Sequence, residues 1–412
     1  MKSNPFTSST YSRIWSKHFN KKKPDVSFAF LDGVKFVKHS LLPLYINVGK
    51  NLTKGVGYEI DESANDYKGK TILIYDVPKY FSIPELKNYE KSTLRLKKVF
   101  QYFGYLMDIS NYTTYEEYIK AQFNSKNRRE FRSNIRKLEE SFDIDYRFVY
   151  KSIDESEYEK IFNEFYKLLS LRYNEKGINL HILNTREWGF YKDLVYEMIQ
   201  EKKALMLIIS DRDTPIGITL NFLSENILFE TITVFDPDYY KFSIGKTSII
   251  KLLEWCFENN YVISDFSKGS FDYKQKWSNM KYEFNYHILY DKNSIKSRLL
   301  TKAIEYFFKL KLFLRNKNFS MFYRKVLFLF EGNSVKSNTK FTAVDLNFFE
   351  PNDSYVLVDI NDDDYFFLKK FVCAFLFANP QHISKVLIYK NISENEYIIK
   401  GTDNVKKITI LT

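Results

Sequence analysis

The sequence predicts a mixed α/β fold with more than one domain. β-branched and aromatic runs alternate with segments whose apolar residues recur at helical spacing. The chain has 412 residues, ordinarily enough for two or three domains, and 44% are hydrophobic, which is enough for real cores. It contains no stretch of about twenty uninterrupted apolar residues, so an integral membrane protein is not expected.

The first 111 residues indicate an α/β unit. A helix is expected near Thr10 to Phe19, and a hairpin with strands between Val26 and Val48 follows it. Ile83 to Phe103 is predicted to be a second helix, because Pro84 and Glu85 favour the first turn of a helix.

Residues 112–290 alternate strands and helices in a definite order. Asp145 to Val149 is a predicted strand, and Ser156 to Tyr173 and Glu187 to Glu201 are predicted helices. Three strands then form a meander that ends at Phe235, and a further helix and short strand follow. The predicted order is therefore β–α–α–β–β–β–α–β.

The most informative stretch runs from Phe229 to Trp277. A strand ends in the turn Asp236-Pro237-Asp238, where Pro fixes φ and Asp can bond its own backbone. The sequence Ser243-Ile244-Gly245-Lys246 then leads into an amphipathic helix, and Val262 to Phe266 make a second short strand. Such an arrangement predicts a phosphate cradle, because the free N–H groups and the positive end of the helix dipole point at the loop.

This stretch resembles the pyrophosphate-binding core of the GNAT acyltransferase superfamily. Three pieces carry the resemblance: FDPDYYKFSIGK before the helix, EWCFENNYVISDFSKG after it, and FDYKQKW beyond the second strand. The best match is the branch of cellulose-biosynthesis-type acetyltransferases and, more distantly, Fem-type aminoacyltransferases. Of the usual GNAT loop only Gly245 is present, with Lys241 and Lys246 on either side. The resemblance covers Tyr112 to Tyr290 well and Asn4 to Asn111 loosely.

A nucleotide-triphosphate P-loop is the competing interpretation of Gly245-Lys246-Thr247. That motif needs a glycine five residues before its Gly-Lys pair, where a side chain would collide with the phosphates. Tyr240 stands at that position, so a P-loop is excluded.

The resemblance implies tandem GNAT-like folds. Residues 1–111 would form a degenerate N-terminal GNAT-like domain, and residues 112–290 the complete acyltransferase domain. A basic amphipathic segment at 291–332 and a small α/β appendage at 333–412 would follow.

The implied reaction is acyl transfer from acetyl-CoA, or another acyl-CoA, to an amine. The donor-binding residues would be those of the cradle: Lys241, Ser243, Ile244, Gly245, Lys246 and Thr247. No Cys/His or Ser/His pairing supports a covalent acyl-enzyme, so direct transfer in a ternary complex is expected.

Two carboxylates lie on the strand that precedes the cradle. Strand alternation places Glu230 and Asp236 on one face. Glu230 is a candidate base that would remove a proton from the acceptor amine, and Asp236 could bind the acceptor. Alternatively, Glu230 pairs with a buried cation and Asp236 only caps the turn.

Four further residues are candidates for the acceptor side. The resemblance places Asp265 and the Tyr273-Lys274 pair at the acceptor pocket, with Tyr273 as proton donor to the leaving thiolate and Lys274 as an anion ligand. Arg172 could hold an acceptor carboxylate or phosphate through its planar fork. The alternatives are packing of Tyr273 on Trp277, and a charge on Arg172 that only complements the helix dipole.

Arg128, Arg132 and Arg136 recur every fourth residue and therefore line one helix face. They indicate either a solvated helix or a phosphate-facing row for the nucleotide of coenzyme A or an anionic acceptor; the solvated helix is favoured.

The segment Ile295 to Phe330 has nine Lys or Arg against one Glu, a net charge of +8 out of the chain's +11. Such a helix could lie on an anionic membrane surface or pack against the acyltransferase flank, and packing is favoured. In the appendage, Asp362 to Asp364 are expected to start a helix from Tyr365 to Ala378.

Two cysteines and five histidines, all scattered, indicate neither disulfides nor a metal site, and a cytoplasmic setting is expected. The sequence thus predicts an N-acyltransferase acting on an amino sugar or amino-acid-like amine, free or linked to a glycan or lipid, in cell-envelope polysaccharide or lipid biosynthesis. A Fem-type enzyme using aminoacyl-tRNA and a non-catalytic binding protein remain alternatives, and no DNA partner is expected.

Overall fold

The computed structural model describes residues 4–20, 24–83, 85–86, 92–176, 183–317 and 340–411. Its helices are α1 (Ser9–Phe19), α2 (Tyr115–Gln122), α3 (Ser125–Ser141), α4 (Glu155–Lys176), α5 (Thr185–Gln200), α6 (Ile244–Glu258), α7 (Asp272–Trp277), α8 (Ile295–Asn316) and α9 (Lys369–Ala378). A 3-10 turn, Pro237–Phe242, directly precedes α6.

Twelve strands form one large mixed sheet. They are β1 (Val26–Phe28), β2 (Leu31–Lys38), β3 (Leu44–Asn47), β4 (Glu59–Ile60), β5 (Thr71–Pro78), β6 (Leu94–Asp108), β7 (Ile144–Val149), β8 (Ala204–Asp211), β9 (Thr214–Ser224), β10 (Ile227–Phe235), β11 (Ile263–Lys268) and β12 (Met280–Asp291). Their order is β1-β2-β3-β5-β12-β6-β11-β10-β9-β8-β7, with β4 paired to β2.

The predicted α/β fold class is confirmed, and so is the element order of the second half. From β7 the chain runs β7–α4–α5–β8–β9–β10–α6–β11. Strand alternation divides the core, because Leu205 and Leu207 of β8 pack with α2, α3 and α6 on one face. Met206 and Ile208 of the same strand pack with α1, α4 and α5 on the other face.

Strand β6 is the main departure from the sequence prediction. The predicted helix from Ile83 to Phe103 is wrong in its described C-terminal part, because β6 begins at Leu94. This strand lies between β11 and β12: residues 94–106 pair with β12 and residues 104–108 with β11, so it has a pairing strand along its length. Pairing partners that are distant in sequence therefore override the local helix signal. Residues 84 and 87–91 of that prediction lie outside the described residues, and its other residues before Leu94 belong to no helix or strand.

The same strand joins the two predicted halves. β6 comes before the proposed boundary at residue 111 yet lies in the sheet of the second half. β12 comes from the second half and pairs with β5 of the first. The boundary itself stays a prediction, and the sheet is continuous across it.

The C-terminal part has a sheet of its own. It comprises β13 (Lys340–Leu346), β14 (Tyr355–Leu357), β15 (Leu387–Asn391), β16 (Glu396–Lys400) and β17 (Val405–Leu411). The strands are antiparallel, in the order β13-β17-β16-β15-β14.

Helix α9 of this part packs on the 3-10 turn before α6. The rings of Phe377 and Phe242 lie 5.3 Å apart, and Lys137 Nζ of α3 donates to the Phe377 carbonyl at 2.7 Å. Asp362 accepts from the Asp364 N–H and so begins the helical segment, as predicted. A 3-10 turn comes first, and the α-helix starts only at Lys369.

Helix α8 covers the first part of the predicted basic segment, and residues 318–339 lie outside the described residues. Within the described ranges, no helix is long and apolar enough to cross a membrane.

Candidate functional site

Two neighbouring strands separate in the middle of the large sheet. β10 and β11 are parallel and pair from Ile227 and Ile263 as far as Phe229 and Asp265. Beyond that point β10 continues along β9 to Phe235, whereas β11 continues along β6. A wedge therefore opens between them, and no described strand pairs with the edge of β10 that faces it. Such an edge suits an extended ligand.

Helix α6 begins beside the wide end of this wedge. Its N-cap residue, Ser243, has a left-handed backbone (φ 58°) and makes no side-chain capping bond. The Ser243 carbonyl accepts from the N–H groups of Lys246 and Thr247, at 2.7 and 3.2 Å. Because the first N–H groups of a helix have no intrahelical partner, this uncapped start suits an anion.

Gly245 stands where α6 passes β10. A Cβ at this position would lie 3.0 Å from Cε1 of Phe235, the last residue of β10. A larger side chain would therefore displace the Phe235 ring from its place between the helix start and Arg172, whose guanidinium lies 4.3 Å from the ring centroid.

The side chains of the predicted cradle have different surroundings. Ile244 and Thr247 are buried, and Lys241 is exposed. Lys246 Nζ binds the Glu130 carboxylate of α3 at 2.6 Å. The cradle thus offers backbone N–H groups, with two lysines nearby.

Glu230 lies at the narrow end of the wedge. It is buried, and its carboxylate accepts from the Ser264 hydroxyl at 2.8 Å across the two strands. Burial raises the pKa of Glu230 to about 7, although the Ser264 hydrogen bond and the Lys274 charge oppose the rise. A carboxyl group with a pKa near neutrality can take up and release a proton under working conditions.

Asp265 is fully buried on β11. It accepts hydrogen bonds from Tyr80 at 2.8 Å, from Tyr282 at 2.7 Å and from the Ser267 N–H at 2.7 Å. Burial raises its pKa to about 6, and these hydrogen bonds limit the rise. Tyr80 belongs to the first half of the chain, so both halves hold this carboxyl group.

The ammonium group of Lys274 is hydrogen-bonded to backbone carbonyls. Its Nζ donates to the carbonyls of Phe266 and Lys268, each at 2.7 Å. These bonds hold the turn after β11, where Ser267 and Gly269 have positive φ. Burial lowers the pKa of Lys274 to about 8. Its predicted role as an anion ligand stays a prediction, which would require it to leave these carbonyls.

Tyr273 is 48% exposed. Its ring packs on Phe266 and Phe271, whereas Trp277 packs on Phe123 and Phe131, so the alternative contact between Tyr273 and Trp277 is absent. Burial of its ring raises the pKa of Tyr273 to about 12; the Glu230 charge adds to the rise and the Arg172 charge opposes it.

Arg172 Nη1 donates to the Thr233 carbonyl of β10 at 3.3 Å. The charges of Glu230 and Arg172 both act on the Tyr273 hydroxyl group, the first raising and the second lowering its pKa. Their chemical roles stay predictions.

Asp236 has another set of contacts. One carboxylate oxygen accepts from the Asp238 N–H at 2.9 Å, and the other binds Lys369 Nζ of α9 at 2.9 Å. These contacts favour a role in capping the turn and anchoring the C-terminal part, and they leave the acceptor-binding prediction without direct support.

Lys54 was missed by the sequence reasoning. It lies in a loop of the first half that is fixed by two contacts: Asn51 O accepts from Lys268 Nζ at 2.6 Å, and Thr53 donates to Asp76 at 2.7 Å. Burial and the charges of Lys268 and Lys274 lower the pKa of Lys54 to about 7. No local motif marks this residue, because its neighbours come from distant parts of the chain.

The three arginines of α3 line a groove of about 470 Å³ between α2, α3 and α6. Glu116, Glu139 and Glu254 line it too, so the groove carries both signs of charge. In the described structure the Nε atom of Arg128 is buried without a hydrogen-bond partner. The described residues contain no cluster of His, Cys, Asp and Glu able to hold a metal ion.

Several solved protein structures are similar to this chain, with low sequence identity. The chain covers 92% of the C-terminal domain of a putative lysylphosphatidylglycerol synthetase from Agrobacterium fabrum, over 74% of its own length, with 12% identity and a TM-score of 0.44. It covers 96% of FemX over 74% of its own length, with 12% identity and a TM-score of 0.49. The structure of L-PGS from Bacillus licheniformis is covered to 98%, again over 74% of this chain, with 13% identity and a TM-score of 0.42.

No curated protein sequence matches the chain. Residues 125–275 match the family model described as an acetyltransferase (GNAT) domain, and this range contains the wedge, the start of α6 and Tyr273. Residues 125–275 are therefore similar to a GNAT-type acetyltransferase domain.

Proposed function

We propose that this domain is an acyl-CoA-dependent N-acyltransferase with acetyl-CoA as its donor. The observation that supports the proposal most is the wedge between β10 and β11, which has an uncapped helix start at its wide end and the buried Glu230 at its narrow end. The backbone N–H groups of Ile244 and Gly245 would hold the donor pyrophosphate, and the edge of β10 that faces the wedge would pair with its amide-containing arm.

Acyl transfer to an amine needs a base and an acid, and Glu230 and Tyr273 can supply them. When bound, the donor thioester supplies the acyl group. Glu230 accepts a proton from the acceptor amine, directly or through one water, as the new C–N bond forms. Tyr273 keeps its proton at neutral pH because its pKa is about 12, and it gives that proton to the sulfur as the C–S bond breaks.

Direct transfer agrees with the state of the cysteines. Cys256 and Cys373 are both buried, and burial raises the pKa of each thiol well above its usual value. Because the thiolate is the nucleophilic form, neither residue is suited to carry an acyl group.

We further propose that the acceptor is an amino sugar or amino-acid-like amine of cell-envelope polysaccharide or lipid biosynthesis. This part rests on the resemblance to the cellulose-biosynthesis-type and Fem-type branch. A Fem-type reaction with aminoacyl-tRNA is the second candidate, and the three arginines in the groove between α2, α3 and the middle of α6 favour it. A non-catalytic binding protein is the third.

Calorimetry with coenzyme A tests the donor assignment. Gly245→Val should weaken binding about a hundredfold or more, because several amide–phosphate bonds would be lost together. The double variant Gly245→Val/Phe235→Leu is the control for displacement of the Phe235 ring. If the loss reflects blocked approach to the helix start, the double variant binds as weakly as the single one.

Recovered binding in the double variant would assign the effect to Phe235 instead. Unchanged affinity in Gly245→Val, or no binding by the native protein, would remove the acyl-CoA proposal. Aminoacyl-tRNA would then be the donor to test.

A further inference from the structure

Helix α8 has an inner face that fixes its orientation on the large sheet. Ser297, Thr301, Ile304 and Phe308 are buried and recur every three or four residues. The Phe308 ring stacks on Tyr286 of β12 with centroids 3.7 Å apart. The helix therefore cannot rotate without losing this contact.

A second apolar stripe lies on the outer face of the same helix. Its side chains are large and exposed: Ile295 by 65%, Leu299 by 63%, Tyr306 by 70%, Leu310 by 42% and Phe313 by 57%. They are spaced by three, four or seven residues, so they form one line on the side opposite the buried stripe. Phe307 and Leu314 are exposed next to it. Lys302 lies in the gap between Leu299 and Tyr306. Single exposed apolar residues are ordinary, but five on one face of a helix indicate a binding surface.

Basic side chains border the outer stripe on both sides. Arg298, Lys302 and Lys309 follow one border, and Lys296 and Lys311 follow the other; all five are exposed. The one acidic residue of the helix, Glu305, is bound by Lys97 and Lys309 and does not neutralise the remaining charges.

We propose that the outer face of α8 docks on an anionic lipid bilayer, with the apolar stripe at the boundary between headgroups and acyl chains. A straight apolar stripe of about 27 Å, bordered by cations along its length, matches a flat anionic surface. A second copy of the chain is a poorer occupant, because pairing the two stripes would bring the basic borders of both copies together. The proposal does not depend on the acyl-transfer chemistry.

Co-sedimentation of the full chain with vesicles tests the proposal. The protein should bind vesicles that contain phosphatidylglycerol and not vesicles of phosphatidylcholine alone. Raising the salt from about 0.01 to 0.15 M, which shortens the Debye length from about 30 to about 8 Å, should weaken the binding. Arg298→Gln, Lys302→Gln and Lys311→Gln together should weaken it about a hundredfold, since each basic residue near such a surface contributes about fivefold.

The apolar stripe has its own variant and a matched control. Leu299→Gln, Leu310→Gln and Phe313→Gln together should abolish vesicle binding while the thermal unfolding temperature stays within a few degrees, because these side chains are exposed. The control changes three other exposed apolar residues, Phe348, Leu357 and Ile392 of the C-terminal part, to Gln, and should bind as the native chain does.

Absence of binding to anionic vesicles at low salt would overturn the proposal. Equal binding by the stripe variant and its control would do the same. A native dimer in sedimentation equilibrium that the stripe variant dissociates would assign the face to a second copy. Calorimetry with coenzyme A on the same samples measures donor binding, so a failure of the membrane proposal can be told apart from a failure of the proposed function.

Discussion

Replacing Glu230 with Gln should change stability in a pH-dependent way, and the size of the change follows from its burial. The pKa of Glu230 rises from an ordinary 4.5 to about 7 in the folded chain. Between these values the folded state holds a proton that the unfolded state has released, so stability falls as pH rises. The difference of about 2.5 pKa units, at 1.36 kcal/mol each, corresponds to about 3 kcal/mol.

Gln cannot ionise, so Glu230→Gln should be close to the native chain in stability at pH 5. At pH 8 the variant should be more stable than the native chain by up to about 3 kcal/mol, because ionisation of the buried carboxyl group no longer opposes folding. Urea unfolding at both pH values measures the difference, and no substrate is needed.

Glu258→Gln on the exposed surface of α6 is the matched control and should show the same difference from the native chain at both pH values. If Glu230→Gln also changes stability equally at pH 5 and pH 8, burial does not keep Glu230 protonated. The physical basis for Glu230 as a base near neutral pH would then be lost.

Two further substitutions test other contacts of the site. Tyr273→Phe should lower turnover roughly ten- to ten-thousandfold and leave coenzyme A affinity nearly unchanged, since only the proton donor is removed; full activity would reassign Tyr273 to packing on Phe266 and Phe271. Lys369→Met should lower the free energy of unfolding by about 3 kcal/mol, because it leaves the mostly buried Asp236 carboxylate without its cation. Asp236→Asn combined with Lys369→Met should restore most of that loss in urea unfolding, and equal losses in the single and double variants would argue against the ion pair.

The surroundings of Asp265 are shared between the two halves of the chain. Tyr80 donates to Asp265, and the loop that carries Lys54 contacts Lys268. β6 brings the first half into this position, because it lies directly beside β11. We therefore expect changes in the first half to affect the acceptor side more than donor binding.

The sequence by itself determined the element order from β7 to β11 and the helix start after Ser243. Both depend on patterns within a few residues: strand alternation, helical spacing, a Pro turn and a glycine near a helix start. Strand alternation made Glu230 a candidate, and the family resemblance made Tyr273 one; their roles stay predictions.

Only the tertiary structure decided which contacts those side chains make. Asp236 is bound to Lys369, more than a hundred residues away, and Lys274 is bound to backbone carbonyls. β6 has the local signals of a helix start before it, but two distant strands pair with it. Local patterns carry no information on partners that only the folded sheet brings into reach, and burial beside those partners sets the pKa values of Glu230 and Lys54.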